Sequence, residues 1–182
     1  VSGLTIPASA DTKNSITVAE VTAGGGGVQQ ISNPWFASGS ISHHSMFRGL
    51  LKANPDLTSA KPDLASGYKV SKDGKTVTIT LKSGLKWSDG VAITADDVIW
   101  SMNTVLRVAQ SNAIFVSAFK QIEGGTAVNA SNTTTISGLT AKGNVITISL
   151  TAPQNTLIPV IAQFMIMPKH VLKDADPLKF GT

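Results

Sequence analysis

The chain has 182 residues, 42% of them hydrophobic and 14% charged, with a formal net charge of +4. That length suffices for one domain, or one and part of another, around a real core, and the composition is neither disordered nor collagen-like. The lysines stand singly, with no run of five and no aromatic platform, which argues against nucleic-acid binding; the lack of cysteine removes disulfides, thiolate metal sites and a cysteine nucleophile.

No stretch approaches the ~18 apolar residues of a membrane span, and no basic-then-apolar leader opens the sequence, so an exported form is expected to have shed its signal. Residues 1–14 are small and polar and read as a flexible lead-in. Ile16–Val21 reads as a strand, followed by Thr22-Ala23 and the run Gly24–Gly27. A phosphate loop would need a following Gly-Lys-[Ser/Thr] and an opening helix, and neither is present. Next come Asn33-Pro34-Trp35, with Trp35 and Phe36 read as core or loop anchors rather than ligand stackers. Ser38-Gly39-Ser40 leads into Ile41–Leu51, where a helix is expected, capped by Ser40 or Ser42, with Met46, Leu50 and Leu51 on its buried side. His43 and His44 diverge by about 100° on such a helix and cannot easily share one ion, so no metal site is expected. For His43 the open readings are a hydrogen bond into a cleft, a solvated surface, or core packing.

The most informative stretch runs from Tyr68 to Arg107. Tyr68–Val70 is extended, Asp73-Gly74 suits a tight turn, and Thr76 to Leu81 alternates strictly, with Val77, Ile79 and Leu81 on one face and three threonines on the other. Gly84 and Asp89-Gly90 mark a corner around Trp87. Thr94-Ala95-Asp96-Asp97 then opens a helix at capping-box spacing, and Val98, Met102, Val105 and Ala109 follow one buried face. A short helix is expected within Ser111–Gly125, ending at Ile122-Glu123-Gly124. A second hairpin is expected from Thr133–Leu139, a turn at Lys142-Gly143-Asn144, and Val145–Leu150. Leu157–Ile161 reads as a short apolar helix with Pro159 in or near its first turn. Met165 and Met167 read as core filler, and His170 as a surface residue at a helix start.

The string PDLASGYKVSKDGKTVTITLKSGLKWSDGVAITADDVIWSM closely resembles the signature region of the extracytoplasmic solute-binding proteins of peptide-type ABC importers, family 5 (the oligopeptide-, dipeptide- and nickel-binding proteins). Pro62, Leu64-Ala65, Tyr68, Asp73-Gly74-Lys75, Leu81, Lys86-Trp87-Ser88-Asp89-Gly90, Thr94-Ala95 and Asp97-Val98 carry the resemblance in one order and spacing. The segments around Ile122-Glu123-Gly124, Val145–Leu150 and Met167-Pro168-Lys169-His170 extend it. It implies an α+β chain, the N-terminal part of a periplasmic-binding-protein-like type II fold: a partial first lobe plus an inserted accessory subdomain. Residues 1–14 would be a tether, 15–39 and 153–182 parts of the first lobe, and 40–152 the accessory subdomain, with the second lobe absent. Trp87 and Asp89 would be fold-forming. Thr22, Ala23, Gly24 and Gly25 would line the first-lobe wall of the ligand cleft, where a peptide can pair with the backbone as an added strand. Ser38, Gly39, Ser40 and His43 would face the same cleft.

The resemblance further implies capture of oligo- or dipeptides outside the membrane and delivery to ABC permease subunits. It implies no cofactor, a monomer, and a lipid anchor on the full-length protein. The alternatives are another solute on the same fold (a nickel complex, an opine, an oligosaccharide) or a stand-alone extracellular interaction module. Enzymatic activity is not expected: no G-x-S-x-G, H-E-x-x-H or phosphate-loop lysine occurs.

Overall fold

The structure is a computed structural model that describes residues 33–35, 47–54, 59–109, 111–129, 131–132 and 134–176. In chain order its elements are β1 (Leu51–Ala53), β2 (Ala60–Pro62), β3 (Ala65–Val70), β4 (Thr76–Leu81), α1 (Ala95–Arg107), α2 (Ala113–Lys120), β5 (Leu139–Lys142), β6 (Val145–Ser149), α3 (Leu157–Ile161) and α4 (Lys169–Leu172). The expected strand at Ile16–Val21 and the glycine loop lie outside the described residues.

The alternating run forms the centre of a sheet because it can bury one side and wet the other. β4 pairs antiparallel with β3 across Ser71–Lys75, where Gly74 takes a φ of +69° and Asp73 accepts a hydrogen bond from the Lys75 amide. On its other side β4 pairs with β6, and β5 closes the edge, giving the antiparallel order β3-β4-β6-β5. Val77 stands opposite Ile148 and Ile79 opposite Ile146, so apolar residues meet on one face. Val77, Ile79, Leu81, Leu139, Ile146 and Ile148 are all buried, while the three β4 threonines stay half-exposed. Burying each of these aliphatic side chains stabilises the fold by about 1.5–3 kcal/mol.

α1 belongs to the same core cluster. Val98, Met102 and Val105 are fully buried, as their spacing implies. Ala109 does not continue that face: the helix ends at Arg107, the buried Val108 is extended, and Ala109 is exposed. The chain must turn there because Asn112 is pinned. Its amide donates to the Trp35 carbonyl at 2.8 Å, and its side chain caps α2 through the Ile114 amide. The hairpin strand likewise starts later than Thr133. Ile136 donates its amide to Asn103 on α1 at 2.8 Å, and Gly138 bonds to Glu123 and Ser149, so this stretch serves α1 and the Gly124 corner and the ladder begins at Leu139.

Of the helix expected at Ile41–Leu51, residues 41–46, Met46 included, lie outside the described residues, and Phe47–Leu51 is extended chain instead. Gly49 bridges Met165, and β1 pairs with β2. Leu50 and Leu51 are both buried, which suits an extended segment covered on both faces. Distant partners take the carbonyls a helix would need: Arg48 O accepts from Ile166, and Leu50 O accepts from Asp63 and Ala65.

A second, aromatic part of the core sits at this joint. Phe164 lies 6.1 Å from Trp35 in a near-parallel stack, and meets Phe115 at 5.3 Å and Phe119 at 5.0 Å edge-on. Trp35 is fully buried and donates its indole N–H to Met165 O at 2.8 Å. Trp35, Met165 and Met167 are therefore core residues, as expected. The buried segment Phe164–Met167 runs between the Trp35 and Arg48–Gly49 segments on one side and α1 on the other, where the Met167 amide donates to Ser101 Oγ at 3.0 Å.

Candidate functional site

Two features stand out, a motif junction and a cavity. At the junction the Trp87 corner and the start of α1 fasten onto α4. Asp97, 5% exposed, accepts from the Thr94 amide through one carboxylate oxygen at 2.9 Å and from the Lys169 amide through the other at 3.0 Å. One side chain thus caps two helices, 72 residues apart in sequence at their contact. Beside it Lys169 Nζ lies 3.2 Å from Asp96, and His170 Nε2 donates to Asp89 Oδ2 at 2.7 Å. The His170 ring, and next the Val91 amide, hold the Asp89 carboxyl below the ordinary carboxylate range. His170 is exposed at the start of α4, as expected, but its pairing with Asp89 across 81 residues has no local signal in the sequence.

The cavity, about 510 Å³, lies between α2 and α3 and is lined by Ala113, Ile114, Ser117, Gln154, Pro159 and Val160, among others. Ile114, at its edge, is 55% exposed. Gln154 Oε1 is shielded from solvent and has no hydrogen-bond partner among the described residues. A mostly apolar hollow of this kind suits a hydrocarbon side chain.

The family model for bacterial extracellular solute-binding proteins, family 5 Middle, matches residues 59–181. This chain belongs to that family. Among curated family relatives, Protein XP55 of Streptomyces lividans is 40% identical over 81 residues, covering 44% of this chain and 15% of its own length. The dipeptide-binding protein DppE of Bacillus subtilis is 29% identical over 140 residues, covering 75% of this chain and 25% of its own. Among solved structures, a periplasmic oligopeptide-binding protein of Borrelia burgdorferi superposes with a TM-score of 0.67 at 25% identity, over 81% of this chain and 31% of that one. The fold is therefore α+β of the periplasmic-binding-protein kind, and this family 5 chain spans about a quarter or less of the length of these curated relatives.

Trp87 and Asp89 stand in the structural junction. Thr22, Ala23, Gly24, Gly25, Ser38, Gly39, Ser40 and His43 lie outside the described residues. The segments flanking Ser38–His43 are described, and both are anchored: Trp35 on Met165, Gly49 on Met165 by a backbone bridge. The α2–α3 cavity was not legible in the sequence. Its only trace there is Ile114, apolar yet one position off the Phe115–Phe119 core face. No group of three metal-ligating side chains clusters among the described residues, and none of their helices is long and apolar enough to cross a membrane.

Proposed function

We propose that this chain forms part of an extracytoplasmic receptor that captures oligo- or dipeptides and delivers them to the permease of an ABC importer. The observation that carries this reading is the family match over residues 59–181, with relatives named for dipeptide and oligopeptide binding. The α2–α3 hollow is in keeping with it, since Ile114 and Val160 leave room for an apolar side chain. In this reading residues 15–39 and 153–182 belong to the first lobe and 40–152 to an accessory subdomain. The packing of Trp35 on Phe164 and Met165 supports grouping the first two. The backbone at Thr22–Gly25 and the segment Ser38–His43 would complete the cleft wall, and the full-length protein would carry a lipid anchor and act as a monomer.

The test is calorimetric titration of the full-length gene product with di-, tri- and pentapeptides beside a nickel chelate, an opine and an oligosaccharide. Micromolar or tighter affinity confined to peptides is expected, and affinity confined to another solute overturns the reading. Capture by closure needs contacts from both lobes of a family 5 protein. Residues 1–182 alone are therefore expected to bind the same peptides at least about tenfold more weakly, a loss of ~1.4 kcal/mol.

A further inference from the structure

The cations are unevenly placed. Eight of the fifteen lysines and arginines lie between Arg48 and Lys86, a stretch whose acids are Asp56, Asp63 and Asp73. The structure gathers four of the eight around the β1–β2 ribbon. Lys52 and Lys61 stand directly opposite each other in the register of β1 and β2, and both are exposed. Like charges facing across a strand pair destabilise it, and among the described residues no acid pairs with either. Arg48 and Lys82 both converge on Asp63, Arg48 on the carboxylate and Lys82 Nζ on the carbonyl oxygen at 2.6 Å. Asp63 thus answers one of four positive charges, and Asp56, between the two strands in sequence, lies outside the described residues. Arg48, Lys52 and Asp63 rim a shallow hollow of about 370 Å³ floored by Leu51, Phe164 and Met165.

We propose that this ribbon is a docking surface for anionic lipid headgroups, holding the protein against the membrane face beside which an extracellular family 5 protein works. Several clustered lysines and arginines each add to the attraction toward a negatively charged bilayer, and the attraction falls off within a screening length. Lysine suits phosphate as a compact point charge, and the cross-strand pair presents two such charges side by side. The surface shares no lining residue with the α2–α3 cavity.

The experiment is cosedimentation of the 182-residue chain with vesicles of about 30% phosphatidylglycerol in phosphatidylcholine, and with pure phosphatidylcholine, at about 0.05 and 0.3 M salt. Partitioning onto the anionic vesicles at low salt is expected, lost at high salt and absent on the neutral ones. Lys52→Glu with Lys61→Glu should weaken it about tenfold or more, whereas Lys120→Glu with Lys142→Glu, of equal charge change elsewhere, should cost less than about threefold. Lys52→Gln with Lys61→Gln repeats the test without new acids, and thermal melts check that every variant is folded. Equal losses in the two charge-reversed pairs, equal partitioning onto both vesicle types, or release by inorganic phosphate at equal ionic strength each overturn the proposal. The last outcome would assign the cluster to a soluble anion instead.

Discussion

The four-stranded sheet and the aromatic joint are built on opposite principles. In the sheet, each strand's closest partner is supplied by its own neighbourhood: β3 turns into β4 over five residues, and β5 into β6 over two. In the joint, Trp35, Gly49 and Phe164–Met167 are brought together from more than a hundred residues apart, and none contributes an element by itself. A local signal can create the first kind of structure, whereas only the completed fold creates the second. The joint is therefore where substitutions should cost most.

Phe164→Ala should be the largest single loss. It empties a fully buried site touching Trp35, Phe115 and Phe119, and about 3–5 kcal/mol of stability should disappear in urea unfolding. Gly49→Ala comes next: a Cβ there would sit 2.5 Å from Phe164 O, and because that neighbour is backbone a loss of about 1–3 kcal/mol is expected. Ser101→Ala leaves the buried Met167 amide without its acceptor, at about 1–3 kcal/mol. On the sheet side, Gly74→Ala forces a positive φ on a residue with a side chain and should cost about 1–2 kcal/mol. If the sheet substitution costs more than the joint ones, the contrast between the two regions fails.

The smallest effect concerns pH. Because the folded protein holds the Asp89 carboxyl below its ordinary value, the stability it supplies is fully present above the unfolded carboxylate value. That stability is lost as pH falls through the lowered one. The Tm difference between the native chain and Asp89→Asn should therefore be largest near neutrality and shrink below about pH 4. A difference that grows on acidification would contradict the Asp89–His170 bond.

What could be read in advance follows the same division. The threonine–aliphatic alternation at Thr76–Leu81 and the Thr94–Asp97 spacing each announce a periodicity or a cap within a few residues, and the structure has both. The Leu50-Leu51 pair is ambiguous in the sequence because two adjacent buried residues satisfy a helical stripe as well as a doubly covered extended chain. Only Met165, more than a hundred residues on, and Pro62, across the β1–β2 ribbon, decide between them. Asp97 was legible as a cap of α1 but not as a cap of α4, since the second role exists only once Lys169 arrives. The α2–α3 cavity had no signal, because a hollow is a property of two surfaces and neither Ile114 nor Gln154 records the other.

The Trp35–Trp100 pair gives the joint an optical signature. Their rings lie 5.8 Å apart and are tilted by 55°. Two indole chromophores so close and so far from parallel couple their electronic transitions, and the coupling appears as a paired band of opposite signs in circular dichroism. The band exists only while the residue-35 segment is seated against α1. The third tryptophan, Trp87, sits in the separate corner before α1, so Trp87→Phe should leave the doublet intact while removing its own fluorescence. The joint that no local pattern announces can thus be watched closing in real time, with no label added.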